Sequence, residues 1–189
     1  MKKITIEWLK SKDACHDGLD WFVEQGKEVE PIPLLKLLIE ENQLNWANWL
    51  IVRVMEYKQC VSYAVFAAEL VIDIFEKEFP DDNRPRTAIE VAKKCIKNPS
   101  EENKKEAARA AGRAASSAAD WAADSAGRAA GRAACSAADS AADWAARAAC
   151  SAADSAARAA CSAADSAAGR AKILKKILKY GIKLLTEGK

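Results

Sequence analysis

Apolar and polar positions along this chain recur with the three-to-four-residue spacing of helices, and no stretch shows the period-two alternation of a strand. Thr5 is placed to N-cap a first segment carrying Trp8, Leu9, Cys15, Leu19, Phe22 and Val23, which Gly26 ends. Glu30-Pro31-Ile32-Pro33 reads as a loop, because two prolines so close do not fit inside a helix. Leu34 to Ile39 begins a second apolar helix. Asn45 is placed to cap a third, Trp46 to Glu56, with Trp46, Trp49, Leu50 and Val54 near one face. Val61, Val65, Ala68, Val71, Ile72 and Phe75 predict a fourth from about Gln59 to Phe79. After the Pro80-Asp81-Asp82-Asn83 break, Asp82 or Asn83 caps a helix through Ile96 with Pro85 in its first turn. Asn98-Pro99 is a further break, and Ser100 caps the next helix.

From Ala107 to Arg170 the pattern changes character. These 64 residues divide without remainder into 17 short tiles, each beginning with Ala: AAR, AAGR, AASS, AADW, AADS and their relatives. The mean tile, about 3.8 residues, is close to one helical turn, so the alanines form one slowly drifting stripe with polar residues opposite. Alanine has the highest helix propensity, so local preference and pattern agree. A stripe of methyl groups lets helix axes approach toward the short end of the roughly 8–10 Å range. A single rod of this length would span about 96 Å, far beyond a compact chain with a radius of gyration of about 16 Å. The tract is therefore expected to break into several helices, near Ser116-Ser117, Ser125-Ala126-Gly127 or a similar weak point. Asp124/Arg128, Asp143/Arg147 and Asp154/Arg158 stand in the favourable i,i+4 order. Beyond the tiles, Lys172 to Leu185 is an amphipathic basic helix, with Ile173, Leu174, Ile177, Leu178 and Leu185 on its apolar side; Tyr180 and Gly181 within it favour closing a core over lying on a membrane.

These patterns define an all-α chain, a compact multi-helix bundle whose C-terminal half consists of closely packed Ala-rich helices. Residues 1–189 read as one domain: a bulky-core half, 1–106, and an Ala-rich half, 107–189, that ends in the basic helix. Charge follows the same division, with a net of −4 in the first half and +6 in the second. All four Phe and all five Pro lie in the first half. An overall net charge of +2 lacks the strong basic excess of a dedicated nucleic-acid binder. No apolar run reaches the ~18 residues of a membrane span, and the N-terminus has no signal-peptide pattern. A cytoplasmic protein with reduced thiols is the expectation.

Chemistry-bearing motifs are scarce. A single histidine, His16, and six cysteines without a C-x-x-C spacing exclude a multi-His centre and disfavour zinc. No phosphate loop, G-x-G-x-x-G or G-x-S-x-G occurs. The acidic cluster Asp13/Asp17/Asp20 reads as solvated, and Asp81/Asp82 as helix-capping. No catalytic residue, metal or cofactor is therefore assigned, and the chain is expected not to be an enzyme. Two features suit a ligand. Arg84 and Arg86 flank Pro85 at a helix start, where free backbone N–H groups also favour anions; binding nearby carboxylates to fix the loop is the competing role. Some of Arg109, Arg113, Arg128 and Arg132 have no acid four residues before them, which leaves those available to an anion or an acidic partner. Trp46 and Trp49 suit core packing, or an aromatic platform for a planar ring beside an arginine.

The run from Cys15 to Phe22, the Trp46-Ala47-Asn48-Trp49-Leu50 element, the stretch from Tyr63 to Glu76, Arg84-Pro85-Arg86-Thr87-Ala88-Ile89-Glu90-Val91-Ala92, and the alanine-rich helices after them together resemble a family of bacterial and prophage immunity proteins. The resemblance implies a small all-α cytoplasmic protein that neutralises a threat by binding, and it supplies no catalytic residues. The expected activity is sequestration without turnover, of an anionic, nucleotide-derived immune signal as in phage counter-defence, or of a protein toxin or effector. No specific nucleic acid or membrane partner is expected. A helical oligomerisation and scaffold role, with the chain as a homo-oligomer, is the further alternative.

Overall fold

The structure is a computed structural model and describes residues 3–26, 28–120, 155 and 167–188. Apart from one two-stranded ladder, its regular elements are helices, so the chain is all-α as its periodicity predicts. Backbone contacts divide it into two compact units, Met1–Val54 and Met55–Lys189.

The first unit begins with β1 (Ile4–Thr5), followed by α1 (Ile6–Ser11), α2 (His16–Gln25), β2 (Glu28–Val29), α3 (Pro31–Glu40) and α4 (Leu44–Val54). Thr5 caps α1 as expected, its Oγ1 accepting from the Trp8 N–H at 3.2 Å. The remainder of the first segment departs from the prediction. It is two helices, because α1 ends after six residues in a Schellman turn. There the Asp13 N–H donates to the Lys10 carbonyl and the Ala14 N–H to that of Leu9, at 3.2 and 3.1 Å. Asn42 ends α3 in the same manner, with Asn42 N–H on Ile39 O and Gln43 N–H on Leu38 O. Three further expectations are corrected. β1 and β2 pair antiparallel, Ile4 opposite Val29 and Thr5 opposite Glu28; two residues are too few to display a period. Pro31 and Pro33 are not in a loop but in the first turn of α3, where the amide hydrogens lack helical partners and proline loses nothing. Helix α4 begins at Leu44, so Asn45 lies inside its first turn.

The second unit comprises α5 (Tyr57–Glu69), α6 (Ile72–Glu78), α7 (Arg84–Lys97), α8 (Glu101–Asp120) and α9 (Ala167–Glu187). The predicted fourth helix is divided at Leu70–Val71, where Val71 leaves helical geometry (φ −131°, ψ −4°). The apolar pattern runs through this bend because Val71 and Ile72 are both buried, so periodicity conceals it. Asp82 caps α7 by accepting the Arg84 N–H at 3.0 Å, Pro85 occupies its first turn, and Ser100 Oγ accepts from Asn103 N–H at the start of α8. Helix α8 crosses the compositional boundary at Glu106 without interruption and stays helical through Ser116-Ser117, which corrects the break expected there. The i,i+4 pairs beyond it, and the weak point at Ser125–Gly127, lie outside the described residues.

Helix α8 packs chiefly on α7 and presents the alanine stripe inward: Ala107, Ala110, Ala111 and Ala114 are 0–2 % exposed. Helix α9 lies against α5 and buries Leu174, Ile177, Leu178 and Leu185, as expected of a core-closing helix. Its Tyr180 ring stacks on Phe66 at 4.0 Å between centroids and 17° between planes. The Gln59 amide ties both ends of this packing together. Its Oε1 accepts from the Glu56 N–H at 2.9 Å, as part of a capping box, and its Nε2 donates to the Leu184 carbonyl at 2.9 Å.

Candidate functional site

The first unit contains a recess of about 290 Å³. Leu9 from α1, Leu34 and Leu38 from α3 and Leu50 from α4 form its apolar floor, and Trp21, Trp46 and Trp49 supply the aromatic walls. Local structure fixes these rings. Trp21 Nε1 donates to Glu41 Oε2 at 2.8 Å, which holds the ring by its polar edge. Trp46 meets it tilted, 6.1 Å between centroids and 52° between planes, within the range of favourable aromatic pairs. The Trp49 ring carries the Arg53 guanidinium at 3.9 Å from its centroid, and Arg53 Nη1 also donates to the Trp49 carbonyl at 2.7 Å. Gly18 admits α2 to this wall; a β-carbon there would stand 3.3 Å from Cys15 Sγ and 4.0 Å from Trp46 Cε2.

Asp13 is the one formally charged residue in the wall. It occupies the left-handed position of the α1 Schellman turn, at φ 56°, where glycine is the usual residue. Side chains there cost of order 1 kcal/mol, although Asp and Asn tolerate the region better than most. The turn thus places an exposed acidic residue in the lining of an apolar, aromatic recess. Sequence reading selected Trp46 and Trp49 but not Trp21 or Asp13. Trp21 stands 25 residues from Trp46, so no helical spacing relates them.

The arginine candidates fall in the second unit. Arg84 is chelated by Asp82: Nε lies 2.9 and 3.2 Å from the two carboxylate oxygens and Nη2 lies 2.7 Å from Oδ2. Arg86 forms a two-pronged pair with Glu76, Nε and Nη2 each at 2.6 Å, and approaches Asp73 at 3.5 Å. The hydrogen bonds from Arg86 hold the Glu76 carboxyl below its ordinary pKa, and the same pair holds the guanidinium above its own. These contacts fasten α7 to α6, while Lys93 bridges Glu69 of α5 and Glu90 of α7 at 2.7 and 2.8 Å. Arg109 and Arg113 are exposed on α8 and form no ion pair among the described residues. Arg128 and Arg132 lie outside the described residues. The tryptophans and the arginines belong to different units.

Among the described residues, no group of His, Cys, Asp and Glu is arranged to hold a metal ion, and no helix is long and apolar enough to cross a membrane. The fold and the recess define an all-α protein with an apolar, aromatic-walled receiving site. Residues 51–142 match the family described as "Imm-5 like putative immunity protein". The match begins in the last turns of α4, covers α5 to α8 and leaves the recess before it. It is narrower than the resemblance drawn from the sequence, which also took in Cys15–Phe22 and Trp46–Leu50. Neither a curated protein nor a solved structure matches the chain.

Proposed function

We propose that this is a non-enzymatic immunity or counter-defence protein, acting in the cytoplasm, that neutralises a protein toxin or effector by binding and sequestering it. The observation that carries this reading is the immunity-protein match over residues 51–142. The size of the recess agrees with it: about 290 Å³ is at the lower limit of small-molecule sites, roughly 300 Å³, and suits one side chain better than a whole nucleotide.

The test is stoichiometry. The tagged full-length chain is used to isolate a toxin from the cells that make it, and toxicity is then titrated with purified protein. Protection that saturates near one equivalent supports sequestration; protection by catalytic amounts overturns it. Capture of a nucleotide-derived anion is the second reading, and the exposed Arg109 and Arg113, without ion pairs among the described residues, favour it. Arg84 and Arg86 support it less, since their guanidinium groups are engaged by Asp82 and Glu76. Mass spectrometry of the supernatant from heat-denatured protein decides this reading through the presence or absence of a released phosphorylated compound.

A further inference from the structure

We infer that the recess of the first unit is an aromatic cage for a cation, and that its occupant is an arginine side chain presented by the protein partner. This rests on the reading of the target as a protein, and it places a contact outside the matched family stretch. Three observations converge. First, Trp21, Trp46 and Trp49 all line the recess, and indole has the strongest attraction for a cation among the aromatic side chains. Second, the charged residue in the wall is an acid, Asp13. Glu41, the hydrogen-bond partner of Trp21, is a second carboxylate held against the aromatic wall. An anionic occupant would meet repulsion from Asp13, and a cationic one attraction.

The third observation is conformational. Asp13 holds φ 56° at a position where glycine would complete the same turn without strain. The equivalent position of α3 is filled by Asn42 at φ 60°, which shows that a neutral residue serves the turn equally well. The turn itself therefore does not call for a carboxylate. Arginine is favoured over lysine because its planar guanidinium stacks flat on indole while offering parallel N–H donors to a carboxylate. Arg53 displays the stacking half of this arrangement on Trp49, at 3.9 Å, without belonging to the wall of the recess.

The test uses the full chain and no toxin. N-acetyl-arginine amide is titrated into protein labelled at nitrogen, and the indole N–H signals are followed, assigned by single Trp→Phe variants. The expected result is saturable movement of the Trp21, Trp46 and Trp49 signals, with binding about fivefold weaker in Asp13→Asn, the loss of one partly exposed ion pair. Asp13→Gly repeats the measurement in a variant that relieves the turn, and thermal melts confirm that both variants fold. N-acetyl-leucine amide binding as well as the arginine probe, unchanged affinity in Asp13→Asn, or no movement of these three signals would each overturn the inference. Protection stoichiometry and probe binding are separate readouts, so failure of one leaves the other standing.

Discussion

The alanine seam of α8 makes a sharp prediction at Ala110. This residue is 1 % exposed, between Ala107 and Ala114 at 0 % and beside Ala111 at 2 %, on a helix whose chief neighbour, α7, buries Ala88 and Ala92 completely. Ala110→Leu forces an isopropyl group into a position only 1 % exposed on the packed side of the helix. Overpacking of this kind costs about 1–3 kcal/mol, and the propensity difference between Ala and Leu, a few tenths of a kcal/mol, does not offset it. For a chain of this size the expected fall in Tm is about 2–12 °C. Ala108→Leu, two positions away on the exposed side of the same helix, should stay within about 0.5 kcal/mol of the parent. Thermal and urea melts followed by far-ultraviolet circular dichroism measure both, with an unchanged urea slope showing that the unfolding transition itself is preserved. If Ala110→Leu and Ala108→Leu melt together, the seam is not close-packed, and the account of alanine as a spacer that brings helices near fails.

Glu76→Gln tests the α6–α7 clasp. The folded-state pKa of Glu76 is held below its unfolded value by Arg86, so its contribution is present above the unfolded pKa, near 4.3, and is lost as pH falls through the folded value. Urea midpoints should therefore separate parent and variant at about pH 7 and draw together as pH falls through the folded value. The Cys60 thiol is pushed up to about 11 by burial, whereas Cys15 is exposed; iodoacetamide near pH 8, read by peptide mass spectrometry, should label Cys15 well before Cys60. Tyr180→Ala removes the ring stacked on Phe66 at 4.0 Å and should cost about 2–3 kcal/mol by urea unfolding, with Tyr180→Phe retaining most of that stability.

Much of the helical fold was legible because periodicity and caps are local signals. Thr5, Asp82, Ser100 and the apolar side of α9 behave as their neighbours in sequence dictate. The failures share a physical cause. The α1–α2 break depends on Asp13 entering the left-handed region without a glycine to announce it, and the α5–α6 bend is buried on both sides, so neither interrupts the apolar pattern. Pro31 and Pro33 misled because a first helical turn asks nothing of its amide hydrogens. The candidate site was half visible. Trp46 and Trp49 stand out in the sequence, but Trp21 and Asp13 join them only through the packing of α1 and α2 with α3 and α4, which no spacing encodes. Arg84 and Arg86 stood out as cations, while the acids that engage them, Asp82, Glu76 and Asp73, were visible without any sign of their pairing.

The tie from Gln59 to Leu184, 125 residues away, bears on how the chain is made. The first unit can collapse on the ribosome as soon as its own 54 residues emerge, in keeping with N-terminal parts folding first. The second must wait: α5 lacks its contact with α9, including the stack of Phe66 on Tyr180, until the segment bearing Leu174, Ile177 and Leu178 has been synthesised. Over that interval, of order several seconds at roughly 5–20 residues per second, nascent chains expose sticky surface to one another and to chaperones. Slow codons placed between α5 and α9 would lengthen that exposure and lower the soluble yield without altering a single amino acid.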